Sequence, residues 1–580
     1  MSRLGRTILV AGMITGVLVA GAAAPASAAT AKVDQTSAQE RKRVDSVPTP
    51  KLGWYKCYDI AECATTLLPM DYDHPKGEKT EIAVLRIKAK DQKHKIGSLF
   101  LNPGGPGGSG TGIALAAPNF ISPAVLDKFD IVGFDPRGIA NSANLKCFKS
   151  VKDQSAVLGK MNVAFPLGAA EEKSYVEGAK QFGKSCSTTG KPLSGSMSTA
   201  EVVRDMEVLR RAVGDKKLSY LGFSYGTAIG QYYANMFPER FRAIVVDGVL
   251  DPEHWVGTAK TANQEQDERL RSADGAYRAL REILKRCDAA GEKFCAFAAG
   301  DATANFDTIA QKLRKKPLVI TDEFGTYTIT YADFVSGILG DLYDIGAGDW
   351  VTQDAQYIWT LLNSSSTAAK NKAKAALIKK IKDARTKAGR DFPYDNGFET
   401  FAAVDCTDGL HPKDASLWPA LMAKADKRAP YFGRAWGWAT AQCARNTWTV
   451  RDEDAYTGPW NRKTAAPVLI VGTKWDPATN YDDAVSASKR LPNSRLLSNT
   501  NWGHTSYGSS DCATGAIDTY LLKGTLPAKG KVCEGAYQPF KEPLPTDPAA
   551  SAQTLRATAV QAARPPVAGP PMPSTLNGTR

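Results

Sequence analysis

Gly222-Phe223-Ser224-Tyr225-Gly226 follows an apolar stretch opened by Leu218, Tyr220 and Leu221 and leads straight into a second apolar stretch at helical spacing. A serine held between close glycines at a strand-to-helix turn has a definite use. The turn is strained, its small neighbours let backbones pack closely, and the hydroxyl projects above the sheet in front of a helix N-terminus that favours developing negative charge. Such a serine attacks carbonyls only if a base and an orienting acid stand beside it. Of five histidines, His74 and His94 come early, and His254 and His411 lie beside or within a long helical block. Only His504, in Asn501-Trp502-Gly503-His504-Thr505, follows the last strand, so His504 is the expected base. The acid should end the strand before it. Val468-Leu469-Ile470-Val471 is that strand, and Asp476 stands just beyond it; Asp247, after an earlier strand, is the rival.

A tetrahedral intermediate also needs two preorganised backbone N–H groups. Tyr225, just after the serine, is expected to supply one, and Gly105, in the glycine-rich loop 102–110, the other. That loop lacks the Lys-Ser/Thr ending of a phosphate loop and the spacing of a dinucleotide fingerprint, so no nucleotide cofactor is expected. No C-x-x-C occurs and the histidines are scattered, so no metal site is expected either. The chemistry expected is acyl transfer. His504 takes the proton of Ser224, two N–H groups hold the oxyanion, and water releases an acyl-enzyme.

Short apolar segments at 82–89, 98–102, 131–134, 218–221, 243–246, 468–471 and 494–497 read as strands. They alternate with helical segments, including one opened by an expected capping box at Ser198-Thr199-Ala200-Glu201. The fold class expected is α/β with a mostly parallel central sheet. Between 256 and 450 the spacing turns helical, notably at 267–286, 304–313, 331–342, 350–362 and 370–382, as expected of a large helical cap inserted into the sheet domain. The expected organisation is therefore a first core part (51–255), the cap (256–450) and a second core part (451–540). A Pro/Ala-rich tail (541–580) reads as disordered.

At 43% hydrophobic, the 580 residues can bury a large core. Residues 1–28 carry Arg3 and Arg6, an apolar run and Ala26-Ser27-Ala28, the pattern of a cleaved signal peptide, so the chain is expected to be secreted. Residues 29–50 are polar and read as a linker or propeptide. Ten cysteines fit an oxidising compartment, with neighbours paired in the simplest scheme: Cys57–Cys63, Cys147–Cys186, Cys287–Cys295, Cys406–Cys443 and Cys512–Cys533. The net charge of +13 is spread without a basic block or a nucleic-acid reading module. No nucleic-acid partner and no stable membrane insertion are expected, although electrostatic association with an anionic cell wall is compatible with the charge.

Taken together, Asn-Pro-Gly-Gly-Pro-Gly-Gly-Ser-Gly at 102–110, Phe-Asp-Pro-Arg-Gly at 134–138, Gly-Phe-Ser-Tyr-Gly-Thr at 222–227, Ala403-Val404-Asp405-Cys406-Thr407-Asp408, Asp476-Pro477-Ala478-Thr479 and Gly503-His504 resemble the secreted bacterial tripeptidyl aminopeptidases. These are α/β-hydrolases related to proline iminopeptidases. The resemblance spans about residues 50–535. It departs at Gly138-Ile139-Ala140-Asn141-Ser142, where relatives tend to carry Gly-x-Gly-x-Ser. It implies a serine exopeptidase that removes short peptides, often tripeptides, from free N-termini of peptides and proteins. An exopeptidase of that kind must bind an ammonium group, for which Asp405 and Asp408 are the candidates. An esterase, lipase or acyltransferase could use the same triad, and a non-catalytic cell-surface binding protein could use the same fold.

Overall fold

The computed structural model describes residues 33–323, 325–387, 394–544 and 564–567. The signal-peptide expectation for 1–28 and most of the tail lie outside the described residues. The strands are β1 (Tyr55–Cys57), β2 (Ala61–Pro69), β3 (Lys79–Ile87), β4 (Gly97–Asn102), β5 (Phe129–Phe134) and β6 (Leu218–Phe223). They continue as β7 (Phe241–Asp247), β8 (Leu318–Asp322), β9 (Gly325–Ile329), β10 (Val468–Trp475), β11 (Ser494–Trp502) and β12 (Val532–Cys533). All but β8 and β9 join one sheet in the order β1-β2-β3-β5-β4-β6-β7-β10-β11-β12. The first three strands enter antiparallel, and every pairing from β5 onward is parallel. β5 and β6 are buried at every position, as central strands covered on both faces must be. Side chains from the two sheet faces feed two separate apolar clusters.

The cap runs between β7 and β10, so the sheet is interrupted and resumed as the strand pattern implied. Helix Tyr331–Leu342 matches its predicted bounds, and helices Ala302–Lys315, Ala347–Asn363 and Thr367–Lys387 extend theirs by a few residues. The predicted helix at 267–286 is two helices. Gln266–Leu270 stops at Arg271, whose φ of +59° breaks the chain before Ser272–Ala290 begins. The cap also contains the β8–β9 hairpin. All five disulfides join the sequence neighbours expected. Among the described residues no helix is long and apolar enough to cross a membrane.

Three local expectations are corrected. Residues 143–198 carried no predicted element. They form helices Val151–Leu158 and Ala169–Cys186, and the second of these packs on the Trp438–Cys443 turn of the cap. At the start of helix Thr199–Ala212, Ser198 accepts from Glu201 N, but the Glu201 carboxylate is drawn away to Arg137 and Arg204, so the box is only half made. The polar segment 29–50, read as a linker, holds helix Ala38–Asp45 in its described part. Its polarity misled because Glu40 and Arg43 face inward, while Arg41, Lys42 and Asp45 stay exposed. Arg204, fully buried, donates to both Glu40 oxygens (2.9 Å each), to Glu201 (2.7 Å) and to Asp454 (2.7 Å). Arg43 bonds Glu40 and Asp73, and Arg211 donates to the Val44 carbonyl.

Candidate active site

The carboxyl ends of β4, β6, β7, β10 and β11 converge on one edge of the sheet, where open α/β sheets place their ligands. Ser224 leaves β6 with φ +55°, a left-handed conformation that a non-glycine residue adopts at a cost and only when held by its surroundings. What holds it is visible. Ser224 N donates to Asp247 O at 3.0 Å, and Thr227 N closes the turn on Ser224 O at 2.8 Å. The flanking glycines are required by contact. A Cβ on Gly222 would fall 2.4 Å from Gly226 O, and one on Gly226 would fall 2.8 Å from Asn102 Oδ1. Helix Gly226–Met236 is buried throughout behind the turn.

His504 follows β11 directly, in a loop with positive φ at Gly503 (+83°) and Thr505 (+69°). Its Nδ1 lies 2.8 and 3.0 Å from the two Asp476 oxygens. Asp476 also accepts from Ala478 N, Thr479 N, Thr479 Oγ1 and Thr505 N, so the acid is fixed before it touches the imidazole. The rival acid has another task. Asp247 accepts from Ser506 N and Tyr507 N at 2.8–3.0 Å, tying the histidine loop to the strand that also holds Ser224. Burial pushes the Asp247 carboxyl up to about 7. The Tyr343 carbonyl of the cap accepts from His504 N at 3.0 Å, and its ring meets the imidazole edge-on at 5.2 Å. His504 Nε2 is buried without a hydrogen-bond partner.

The glycine-rich loop lies against the serine turn. Gly104 has φ +87°, and a Cβ there would fall 2.6 Å from Phe223 O and 2.8 Å from Ser224 Cβ. The loop bonds run from Gly104 N to Asn102 Oδ1 and from Gly108 N to Gly104 O. They leave Gly105 at the cavity wall with Ser224. Asp135 fixes this loop, a role the sequence did not suggest. It is fully buried and accepts from Ser109 Oγ, Thr111 N, Thr111 Oγ1 and Asn141 N at 2.7–3.0 Å. The Asp-Pro-Arg-Gly motif carries the signal, because a short acid just past a central strand is placed to brace the neighbouring loop. Arg137 of the same motif is buried, on Asp205, Glu201 and the carbonyls of Pro69, Met70 and Ser196.

Above Ser224 the cap closes a cavity of about 50 Å³, room for a few water molecules. Leu250, Trp255, Leu270, Phe401 and Trp436 give it apolar walls, and Gln266, Asp267 and Thr440 give it polar ones. Neither Asp405 nor Asp408 lines it. Asp408 is spent on Thr199 N, Thr199 Oγ1 and Trp255 Nε1. Asp405 bonds Gln266 Nε2 through one oxygen, while its other oxygen is buried without a partner, and burial pushes this carboxyl up to about 8. The acids nearer the cavity are Asp267 in the wall and Glu265 beside it. Glu265 Oε1 has no hydrogen-bond partner, and burial, with Asp267 adding to it, pushes this carboxyl up to about 8. Neither was singled out by sequence spacing. The described residues hold one acidic trio that could offer metal ligands, Glu201, Asp452 and Asp454, and there Arg204 Nη1 already bonds Glu201 and Asp454.

The strand order and the serine turn define an α/β-hydrolase, and the family model for the alpha/beta hydrolase fold matches residues 97–283. A second model, described as TAP-like protein, matches residues 429–533. The tripeptidyl aminopeptidase of Streptomyces lividans is 30% identical over 489 residues, covering 81% of this chain and 83% of its own. Serine protease Hip1 of Mycobacterium tuberculosis is 29% identical over 515 residues, covering 83% and 92%. Carboxylesterase B of the same organism is 28% identical over 505 residues, covering 84% and 91%. The chain belongs to the tripeptidyl aminopeptidase family and is a serine hydrolase of the peptidase class.

Proposed function

We propose that the protein is a secreted aminopeptidase that releases short peptides, tripeptides foremost, from free N-termini through Ser224, His504 and Asp476. The observation that carries this is the His504 ring. Asp476 fixes Nδ1, Nε2 is buried and unpaired, and Tyr343 and Thr479, which flank the ring, line the same cavity as Ser224 and Gly105. His504 takes the Ser224 proton as Oγ attacks the scissile carbonyl, and Asp476 stabilises the imidazolium that results. The N–H groups of Gly105 and Tyr225 receive the oxyanion, each worth roughly 3 kcal/mol of barrier. His504 then protonates the leaving amine, and water enters to release the acyl group.

Residues 51–255 and 451–540 form the hydrolase core in this scheme, and 256–450 the cap that limits how much peptide enters. Asp267 in the cavity wall is already paired with Arg428, which leaves Glu265, with its unpaired Oε1, as the carboxyl that an incoming ammonium group would pair with and ionise. Asp405 stands behind Gln266 as a support, and Asp408 is a structural anchor. Five disulfides and the leader pattern of residues 1–28 support export. The apolar part of the wall favours a second reading, an esterase on the same triad.

A pair of peptide substrates, one with a free and one with an acetylated N-terminus, separates the two. Cleavage of the free form alone, with tripeptides as products by mass spectrometry, is expected. Equal cleavage of both would remove the aminopeptidase assignment. A serine-directed phosphonate should label the wild type and not Ser224→Ala; failure to label the wild type would remove the enzyme mechanism itself.

A further inference from the structure

The tail returns to the site. Of residues 541–580, the described stretch 564–567 is seated on the folded chain. Pro565 is buried, Val567 packs against one of the two apolar clusters, and Val567 N bonds Pro565 O at 2.9 Å. This docking presents the Arg564 side chain, 20% exposed, to the histidine loop. Its Nη2 donates to His504 O at 3.1 Å and lies 3.5 Å from Tyr343 O; its Nη1 lies 3.5 Å from Asp344 Oδ2.

That loop needs holding. Gly503 and Thr505 both sit at positive φ, and for a β-branched threonine this costs on the order of 1–3 kcal/mol. A Cβ on Gly503 would fall 2.8–2.9 Å from backbone atoms of Tyr343 and Asp344, so the loop is pressed against this corner of the cap. The restraints on His504 come from three directions. Tyr343 O takes its N–H, Asp476 takes its Nδ1, and Arg564 supplies the donor for its carbonyl. Its carbonyl is the one backbone polar group of this buried residue that cap and core do not hold, and a guanidinium spanning His504, Tyr343 and Asp344 also pins the cap corner to the loop.

We propose that Arg564 is a positioning residue, a clip from the C-terminal tail that keeps the His504 imidazole aimed at Ser224 by bonding the backbone of His504 and the cap corner together. The clip rests on the assignment of His504 as the base. It touches neither substrate nor reacting atoms, so its loss should slow the chemical step and spare binding.

The test uses full-length enzyme with Arg564→Gln and Arg564→Lys. In Arg564→Gln, kcat should fall by about tenfold with KM changed less than about twofold, since a small misplacement of the base acts on the chemical step alone. The rate of phosphonate labelling at Ser224 should fall by the same factor, while Tm moves by no more than about 2 °C. Arg564→Lys keeps a donor that can reach the His504 carbonyl and should recover a measurable part of kcat. An unchanged kcat in Arg564→Gln would overturn the proposal. So would a raised kcat, which would make the tail an obstruction, or a lysine variant no better than the glutamine one. His504→Ala, run alongside, keeps the two assignments apart. If it retains full activity, the catalytic assignment fails; if it is inactive while Arg564→Gln equals wild type, only the clip fails.

Discussion

The two walls of the cavity are built on opposite terms. On the core side the three buried acids around the serine turn are fully engaged. Asp476, Asp247 and Asp135 each accept several backbone or hydroxyl donors, and each holds one part in place: the imidazole, the histidine loop and the glycine-rich loop. His504 Nε2 is buried and unpaired, as are Asn501 Oδ1 and Trp502 Nε1 just before it in the chain. On the cap side Tyr343 Oη, Trp436 Nε1 and Thr440 Oγ1 of the cavity lining are buried and unpaired, as are Glu265 Oε1, Asp405 Oδ2 and Gln442 Oε1, which do not line it. An unmet buried donor or acceptor costs about 1–3 kcal/mol, so a group of them persists only where something else completes it. The core acids hold their loops in place without a ligand, whereas the cap atoms keep hydrogen-bonding capacity that water or a bound molecule can take up.

The largest expected effect breaks the core wall. Asp476→Asn should lower kcat by about 10³–10⁴, because the amide no longer fixes the imidazole tautomer. Asp247→Asn should cost activity far less, about tenfold, while lowering Tm, since it supports backbone and not the ring. Steady-state kinetics and thermal melts of the two variants side by side check this; equal losses of kcat would erase the distinction between ring and loop acids. Next, Glu265→Gln should raise KM for free N-terminal peptides by about tenfold or more, the loss of one charge-assisted hydrogen bond, and leave an N-blocked ester unchanged. An unchanged KM would place the ammonium elsewhere on the cap. The smallest effect is on stability. The Asp405 carboxyl sits at about 8 in the folded chain against about 3.9 unfolded. The folded state therefore holds a proton that the unfolded state has lost, and stability falls as pH rises from about 4 towards 8. Asp405→Asn removes that term. Its unfolding free energy, read from denaturant melts, should fall less steeply between pH 5 and 8 than the wild type's, by up to about 1.4 kcal/mol per pH unit.

The arrangement of the proposed site was legible because it is local. Ser224 announces itself through two glycines that contact geometry demands, and Asp476 and His504 each stand at the end of an apolar strand. The inserted cap was legible for the same reason, since helical spacing is a short-range signal. What sequence missed depends on distant partners. Glu40 and Arg43 look like solvated charges until Arg204 and Asp73 are placed beside them. Asp135 looks like a turn residue until the glycine-rich loop folds over it. Asp405 and Asp408 sit on a helix facing the cap interior, and only the packing shows that Thr199 and Trp255 had already claimed Asp408. Strands β1 and β2 were overlooked because they lie at the sheet edge, where alternation is weak and several positions are exposed.

Helix Ala38–Asp45 sets a limit on how far the chain can be trimmed. A cut past Arg43 would carry away Glu40 and Arg43 together, leaving the fully buried Arg204 with half its carboxylate contacts and Asp73 without its arginine. Stripping one partner from a buried ion network costs several kcal/mol, enough to unfold the edge it braces. A folded chain therefore keeps this helix, and a cut within it should lower the melting temperature.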